Sequence, residues 1–220
     1  MENETNIIKM KWNNSIKNCS FMFYFNDNIV EIDLSKFDAS NTINMFRMFG
    51  FCYSLTYINF NNINTSSVIN MSEMFSYCES LTSLDLRSFD TSKVIIMRGM
   101  FAHCDSLHII DLSNFDTSKV YDMREMFKEC YSLKSLNLSN FNTSNVNNMI
   151  NMFMDCNNLE SLEIDKFDTS EVTHMGSMFE NCRKLKSLNL QNFNTSSVTY
   201  IGYMFQNCYS LIFSFPIFVL

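Results

Sequence analysis

Glycine and proline are scarce in this sequence, and their scarcity argues against several architectures. The 220 residues include 4 Gly and 1 Pro, where average usage gives roughly 15 and 11. Collagen, flexible linkers and sandwiches divided by Gly/Pro turns are therefore poor interpretations. The four glycines also lie far apart, so neither G-x-G-x-x-G nor G-x-x-x-x-G-K-[ST] can be written. Nucleotide binding through those phosphate-binding loops is excluded.

The sequence also has few basic residues and only short apolar runs. Lys+Arg 16 against Asp+Glu 23 gives a net charge of -7, which repels polyanions, so we expect no nucleic-acid partner. The longest apolar run, 211–220, is far below the roughly 20 residues that cross a bilayer, so we expect no stable membrane insertion. The N-terminal residues do not resemble a secretory signal. The residues alone therefore indicate either a cytoplasmic protein or an incomplete precursor.

A repeat with a period of 26 runs almost from end to end. Leucine, phenylalanine and cysteine each recur at this spacing. The cysteine ladder consists of Cys52, Cys78, Cys104, Cys130, Cys156, Cys182 and Cys208. A period of this length predicts a solenoid, in which each unit buries its apolar face against its neighbours. We divide the chain into an N-terminal cap with half a repeat (1–27), seven units (28–209), and a truncated repeat with an apolar C-terminal cap (210–220).

The first half of each unit has the pattern of a strand. In the third unit, 80–105, Leu84 and Leu86 alternate with the polar residues Ser83, Asp85 and Arg87. This period of two indicates a strand with one buried face.

The second half of each unit has the pattern of a helix. Val94, Met97, Phe101 and Cys104 fall on one helical face. The preceding motif, Asp-Thr-Ser at 90–92, consists of residues that cap helix N-termini. The sequence therefore predicts an α/β repeat solenoid. Because strands stack roughly 4.8 Å apart and helices roughly 8–10 Å apart, the stack should curve into a horseshoe, with a parallel concave sheet and convex helices.

Two stretches carry a resemblance to a known family. The pattern Leu81-x-x-Leu84-x-Leu86-x-x-Phe89 resembles the core of leucine-rich repeats, with Phe where Asn or Cys is usual. The segment Ile-Asp-Leu-Ser-Asn-Phe-Asp-Thr-Ser-Lys-Val at 110–120 is similar to the BspA-like repeat. That family is known from bacterial and mycoplasmal surface proteins and from parasitic protists. The resemblance implies a non-enzymatic binding or adhesion module, a protein partner such as a host or cell-surface protein, and a location at the cell surface or outside the cell.

The cysteines, methionines and histidines are interpreted as structural residues. The cysteine ladder lacks the C-x-x-C pairs of zinc sites, so we expect buried free thiols that act as small hydrophobic side chains. The methionines lie beside the phenylalanine ladder and should fill the core. His103, His108 and His174 are not spaced as metal ligands. We expect no enzyme, no metal and no cofactor.

Two polar ladders remain, and one of them suggests a binding surface. A turn ladder is expected to cap the helices, with calcium binding as the alternative; it consists of Asp38, Asn64, Asp90, Asp116, Asn142, Asp168 and Asn194. A strand ladder should lie on the concave face; it consists of Asp33, Asn59, Asp85, Asp111, Asn137, Glu163 and Asn189. It is either a solvated sheet surface or a binding groove. The candidate partner-binding residues are Tyr57, Asp85, Ile109, Asp111 and Asn137. A glycan- or cation-binding surface built on the same ladder is the alternative.

Overall fold

This computed structural model describes residues 15–212, and in that range the regular elements are short parallel strands. They are β1 (Glu31–Asp33), β2 (Tyr57–Asn59), β3 (Ser83–Leu84), β4 (Ile109–Ile110), β5 (Ser135–Asn137) and β6 (Ser161–Glu163). β1 pairs with β2, β3 with β4 and β5 with β6, and the paired residues are one repeat period apart, as in Ile32 and Ile58. The parallel sheet therefore exists as three two-stranded pairs. Most of both expected caps, residues 1–14 and 213–220, lies outside the described range.

The predicted helices are wrong: residues 15–212 contain none. In the segment 97–104, which we call the arc of its unit, alternate N–H groups donate to the next unit, and those between them close short turns within the arc. The Gly99 N–H donates to the Arg124 carbonyl at 2.7 Å, and the Phe101 N–H donates to the Met126 carbonyl at 2.9 Å. In an α-helix the Phe101 N–H would bond to the carbonyl of Met97. The arcs thus form a second hydrogen-bonded ladder between units.

Left-handed residues explain why the arc cannot be a helix. Gly99 has φ 56 and His103 has φ 58, whereas a right-handed helix needs negative φ throughout. Each is the third residue of a turn; the first turn is closed by the Met100 N–H on the Met97 carbonyl at 3.2 Å, and a type II turn requires positive φ there. The same two registers repeat at Phe21, Arg47, Glu73, Glu125, Asn151, Ser177 and Tyr203, and at Phe25, Phe51, Tyr77, Glu129, Asp155, Asn181 and Asn207.

The prediction of a horseshoe depended on helices, and the arcs are hydrogen-bonded ladders instead. Parallel bridges join the residue just before each arc to its equivalent in the next unit, from Asn18 with Asn44 through to His174 with Tyr200. Both sides of the stack are therefore joined as β-ladders, with the same spacing between units. The mismatch that predicted a concave sheet and convex helices is absent. We call the exposed side of β1 to β6 the strand face and the outer surface of the arcs the arc face.

The core consists of side-chain ladders along the stack. Stacked phenylalanine rings run through it with centroids 5.5 Å apart for Phe49 and Phe75 and 5.8 Å apart for Phe75 and Phe101. The ladder cysteines lie beside them, and the Cys104 Sγ donates to the Phe75 carbonyl at 3.3 Å. Burial raises the pKa of the Cys156 thiol to about 12. Most of the cysteines and methionines in the described range are buried, as the sequence analysis expects, while Cys208, Met22 and Met154 are half-buried.

The threonine of the Asp-Thr-Ser motif joins neighbouring units. Thr117 is 1% exposed, and its Oγ1 donates to the Asn142 carbonyl at 2.9 Å while accepting the Asn142 N–H at 2.8 Å. The same pair of bonds is made by Thr65, Thr91, Thr143 and Thr169. The motif therefore links units, a role that the sequence analysis did not predict.

Removing this hydroxyl should be costly. Thr117→Val keeps the shape but leaves the Asn142 N–H and carbonyl without their partner, at about 1–3 kcal/mol for each buried group. We expect urea unfolding to show a loss of about 2–4 kcal/mol, with Thr117→Ser losing much less because it keeps the hydroxyl. Equal losses in the two variants would contradict this role.

Thiol reactivity should follow burial. Cys208 is partly buried with its thiol pKa raised to about 11, whereas the other cysteines are buried. In a titration with an aromatic disulfide reagent, Cys208 should react first, and all 8 cysteines should react only after unfolding. Rapid reaction of several thiols in the folded protein would show that the core is open.

Candidate functional site

The strand face carries the two large apolar residues that the sequence analysis selected. Tyr57 in β2 is 54% exposed and Ile109 in β4 is 67% exposed. Both project from the same face because their neighbours Ile58 and Ile110 are buried. Ser83, which pairs with Ile109 in register, lies between them in the stack. Two exposed apolar side chains are therefore held on a backbone fixed by strand pairing.

The polar candidates are exposed on the same face, but they also hold their own backbone. Asp111 Oδ1 accepts the Ser113 N–H at 2.9 Å, and Asn137 Oδ1 accepts the Ser139 N–H at 2.9 Å. Such Asx turns end the strands. Asp85 makes the same contact and is also bound by its neighbour Arg87. The strand ladder is thus partly a structural feature.

The turn ladder uses the same chemistry. Asp116 Oδ1 accepts the Ser118 N–H at 2.9 Å, and Asp168 Oδ1 accepts the Ser170 N–H at 2.9 Å. The predicted helix capping is wrong, because residues 15–212 contain no helix, but these residues do accept backbone N–H bonds and so close turns. Each serine, through its side chain and its backbone, lowers the pKa of the carboxyl that it contacts.

Asp85 and Arg87 form the best-defined ion pair of the strand face. The Arg87 Nε donates to Asp85 Oδ1 at 2.9 Å, and Nη2 donates to Oδ2 at 2.6 Å. These side-chain bonds, with a backbone bond from Arg87, lower the pKa of Asp85 to about 2. Because both side chains are exposed, the pair adds little stability. It does neutralise the charge of Asp85, so Asp111 offers the less compensated carboxylate.

A carboxyl outside both ladders has the opposite shift. Burial raises the pKa of Asp105 to about 6, and the charges of Glu79 and Glu129 contribute to the rise. Its Oδ1 has no hydrogen-bond partner among the described residues. The charged form of Asp105 is therefore poorly solvated.

The arc face holds a cluster that sequence reasoning missed. Phe51 stacks on Tyr77 at 4.3 Å, and Tyr77 stacks on His103 at 3.9 Å. Arg47 Nε donates to Glu73 Oε2 at 2.7 Å beside them. These positions are equivalent in successive units, but the residue type changes from unit to unit. A comparison that tracked positions, and not only identical residues, would have found them.

Metal-binding and membrane-spanning features have no support in the described range. Within 15–212, no three or more His, Cys, Asp or Glu side chains are grouped so that they could hold a metal ion. In the same range, no helix is both long and apolar enough to span a membrane. The cation-binding alternative therefore has no coordinating cluster among these residues.

Comparison with known proteins identifies a family. The model of the family described as Mycoplasma protein of unknown function, DUF285, matches residues 2–108, 47–161 and 132–215 in overlapping copies. The match confirms the family resemblance drawn from the repeats. No curated protein matches the chain.

Several solved structures are similar at low identity. A leucine-rich repeat protein from T. pallidum is 20% identical, covering 76% of this chain and 69% of that chain, with a TM-score of 0.49. One from Bacteroides ovatus is 19% identical (88% and 68% covered, TM-score 0.36). A leucine rich cell surface protein from Faecalibacterium prausnitzii is 17% identical (84% and 76% covered, TM-score 0.27). Because these TM-scores are below 0.5, the description of the fold rests on the hydrogen bonds of this chain and not on these structures.

The opposite pKa shifts predict a stability maximum in mild acid. The raised pKa of Asp105 means that folding gains stability as pH falls from about 6 towards 4, by about 1 kcal/mol after discounting for partial exposure. The lowered pKa values of residues such as Asp116 mean that stability is lost below about pH 4.

Thermal unfolding at several pH values tests this, with Asp105→Asn as the matched variant. Burial lowers the pKa of His103, so this residue reduces stability as pH falls from 7 to 5. Because His103 is present in both proteins, the difference in stability between wild type and Asp105→Asn reports on Asp105 alone. Wild type should gain stability relative to Asp105→Asn as pH falls from 7 to 5. A constant difference would refute the assignment.

Proposed function

The chain belongs to the family of Mycoplasma proteins of unknown function, DUF285, and from that premise we propose that it is a non-enzymatic protein-binding or adhesion module. The seven units at 28–209 act together, and the partner contacts the strand face. The observation that supports this most is the exposure of Tyr57 and Ile109 on paired strands. The BspA-like resemblance favours display at the cell surface.

In this proposal, burial of Tyr57 and Ile109 supplies most of the binding free energy. Complete burial of one such side chain is worth about 1.5–3 kcal/mol, and aromatic anchors near the centre of an interface dominate binding. The strands hold the backbone of Tyr57 and Ile109 before binding, so ordering costs are small. Ser83 between them is small enough to admit a partner side chain.

The polar candidates supply orientation. In Asp111 and Asn137 the Asx turn uses only Oδ1, so the second polar atom of each side chain can bind the partner. Asp85 and Arg87 contribute an exposed ion pair. The net charge of -7 favours a basic partner surface and faster association with it. Together these residues form a polar rim around the two apolar side chains.

A paired set of variants tests the binding face. A double variant, Tyr57→Ser with Ile109→Ser, alters the strand face. The control is Ile43→Ser with Ile69→Ser, which removes two apolar side chains that are 47% and 40% exposed beside the arc ladder. Proteins labelled on the surface of host cells are captured on the immobilised chain, and each is purified and measured by surface plasmon resonance.

We expect the strand-face variant to weaken binding by at least about 10-fold, since each lost anchor costs more than about 1 kcal/mol. The control should stay within about 2-fold, and both should keep the melting temperature of wild type. Loss of binding only in the control would place the interface on the other side.

A further inference from the structure

An open cavity on the arc face is lined by polar and charged side chains. It has a volume of about 250 Å³, against roughly 30 Å³ for one water molecule. The residues that matter here are Ser76, Tyr77, Arg98, Gly99 and Glu125, all of which line it. It lies away from the strand face and is independent of the proposed interface.

Small residues create this cavity. Gly99 stands in the register that holds Glu73 and Glu125 in the units on either side, so one side chain is missing from that ladder. Ser76 and Ala102 occupy the next register, where the following unit has Lys128. The cavity therefore lies where both registers are occupied by small residues.

Two hydrogen-bond donors in the cavity have no acceptor. Ser76 is 1% exposed, and its Oγ has no partner among the described residues. The buried Nε of Arg98 has none there either, and the Arg98 Nη2 lies 3.8 Å from Glu125 Oε2, too far for a good hydrogen bond. Leaving such groups unpaired costs free energy. A ligand that supplies acceptor oxygens would remove that cost.

The next unit shows which acceptor suits an arginine at this register. Arg124 is the equivalent of Arg98 in that unit, and there Asp122 binds its guanidinium, with Nε to Oδ1 at 2.9 Å and Nη2 to Oδ2 at 2.6 Å. The residue that corresponds to Asp122 is Ile96, whose side chain has no acceptor. Glu125 lies at ion-pair distance from Arg98 but does not bind it, so Arg98 lacks the bidentate carboxylate that its neighbour has, while its fork geometry is suited to one.

The aromatic wall argues against a sugar. Phe51 and His103 cover the two faces of the Tyr77 ring at 4.3 Å and 3.9 Å. A stacked sugar needs a free ring face, and Tyr77 offers only its edge. An anion fits better, because the charged residues that line the cavity are Arg47, Arg98 and Lys128 against Glu73 and Glu125, a small excess of positive charge.

We propose that this cavity binds a small carboxylate anion, held by the Arg98 guanidinium and the Ser76 hydroxyl. The carboxylate takes the place that Asp122 occupies against Arg124. The rest of the ligand lies along the edges of Tyr77 and His103.

Nitrogen NMR of the arginine side chains tests the proposal directly. Sodium acetate is titrated into the protein at pH 7 while the Nε–H signals of Arg98 and Arg124 are followed, with sodium chloride at equal ionic strength as the blank. The Arg98 signal should shift and saturate with a Kd on the order of millimolar, as expected for so few contacts. The Arg124 signal should not move, because Asp122 already binds the Arg124 guanidinium.

Three variants separate the site from general charge effects. Ser76→Ala copies the residue found at 102, and Ile96→Asp copies the arrangement at 122, so both should fold. Each should weaken acetate binding by roughly 10-fold or more, the first by removing a donor and the second by giving Arg98 a carboxylate within the chain. Arg98→Met should abolish binding.

Other results would overturn the proposal. A response equal to that of chloride would mean that the cavity holds water only. Tighter binding of inorganic phosphate than of acetate would refute the carboxylate assignment. Acetate binding that survives both Ser76→Ala and Ile96→Asp would place the anion elsewhere.

Discussion

The structure depends on backbone hydrogen bonds between residues that are about one repeat period apart. They join the strands on one side, as between the segments of Ile32 and Ile58, and the arcs on the other, as between Phe101 and Met126. Each bond adds only about 0.5–1.5 kcal/mol, but together they fix the register of every unit. Once register is fixed, each side chain meets its counterpart in the next unit. The phenylalanine stack, the cysteine contacts and the threonine links all follow from that constraint.

The sequence predicted the period, the strands and the buried positions, but not the conformation of the arc. Met97, Phe101 and Cys104 point inward at spacings of four and three residues, which is also the spacing of a helical face. Successive turns produce the same pattern because left-handed residues such as His103 redirect the chain. Those positions are occupied by Glu, Tyr, Phe and Asn as well as Gly, so composition did not reveal them. Tertiary bonding between units overrides local helix preference here.

The candidate site was predictable only in part, for a related reason. Tyr57 and Ile109 could be found because they occupy an exposed strand register, and alternation alone places them on the surface. The role of Asp111 in its own turn, and that of Thr117 between units, depend on contacts that single-unit patterns do not contain. The arc cavity depends on differences between units, Gly99 for Glu and Ile96 for Asp. In a repeat protein the shared residues build the stack, and the residues that depart from the repeat give each region its own surface.

The central claim is that the arcs are joined by hydrogen bonds between units and not by helical bonds along themselves, and NMR can observe this directly. Scalar coupling across a hydrogen bond connects the donor nitrogen with the carbonyl carbon of its acceptor. The structure requires a correlation from the Phe101 nitrogen to the Met126 carbonyl carbon, matching the 2.9 Å contact. A correlation from the same nitrogen to the Met97 carbonyl carbon would show that the arc is a helix and would contradict the account.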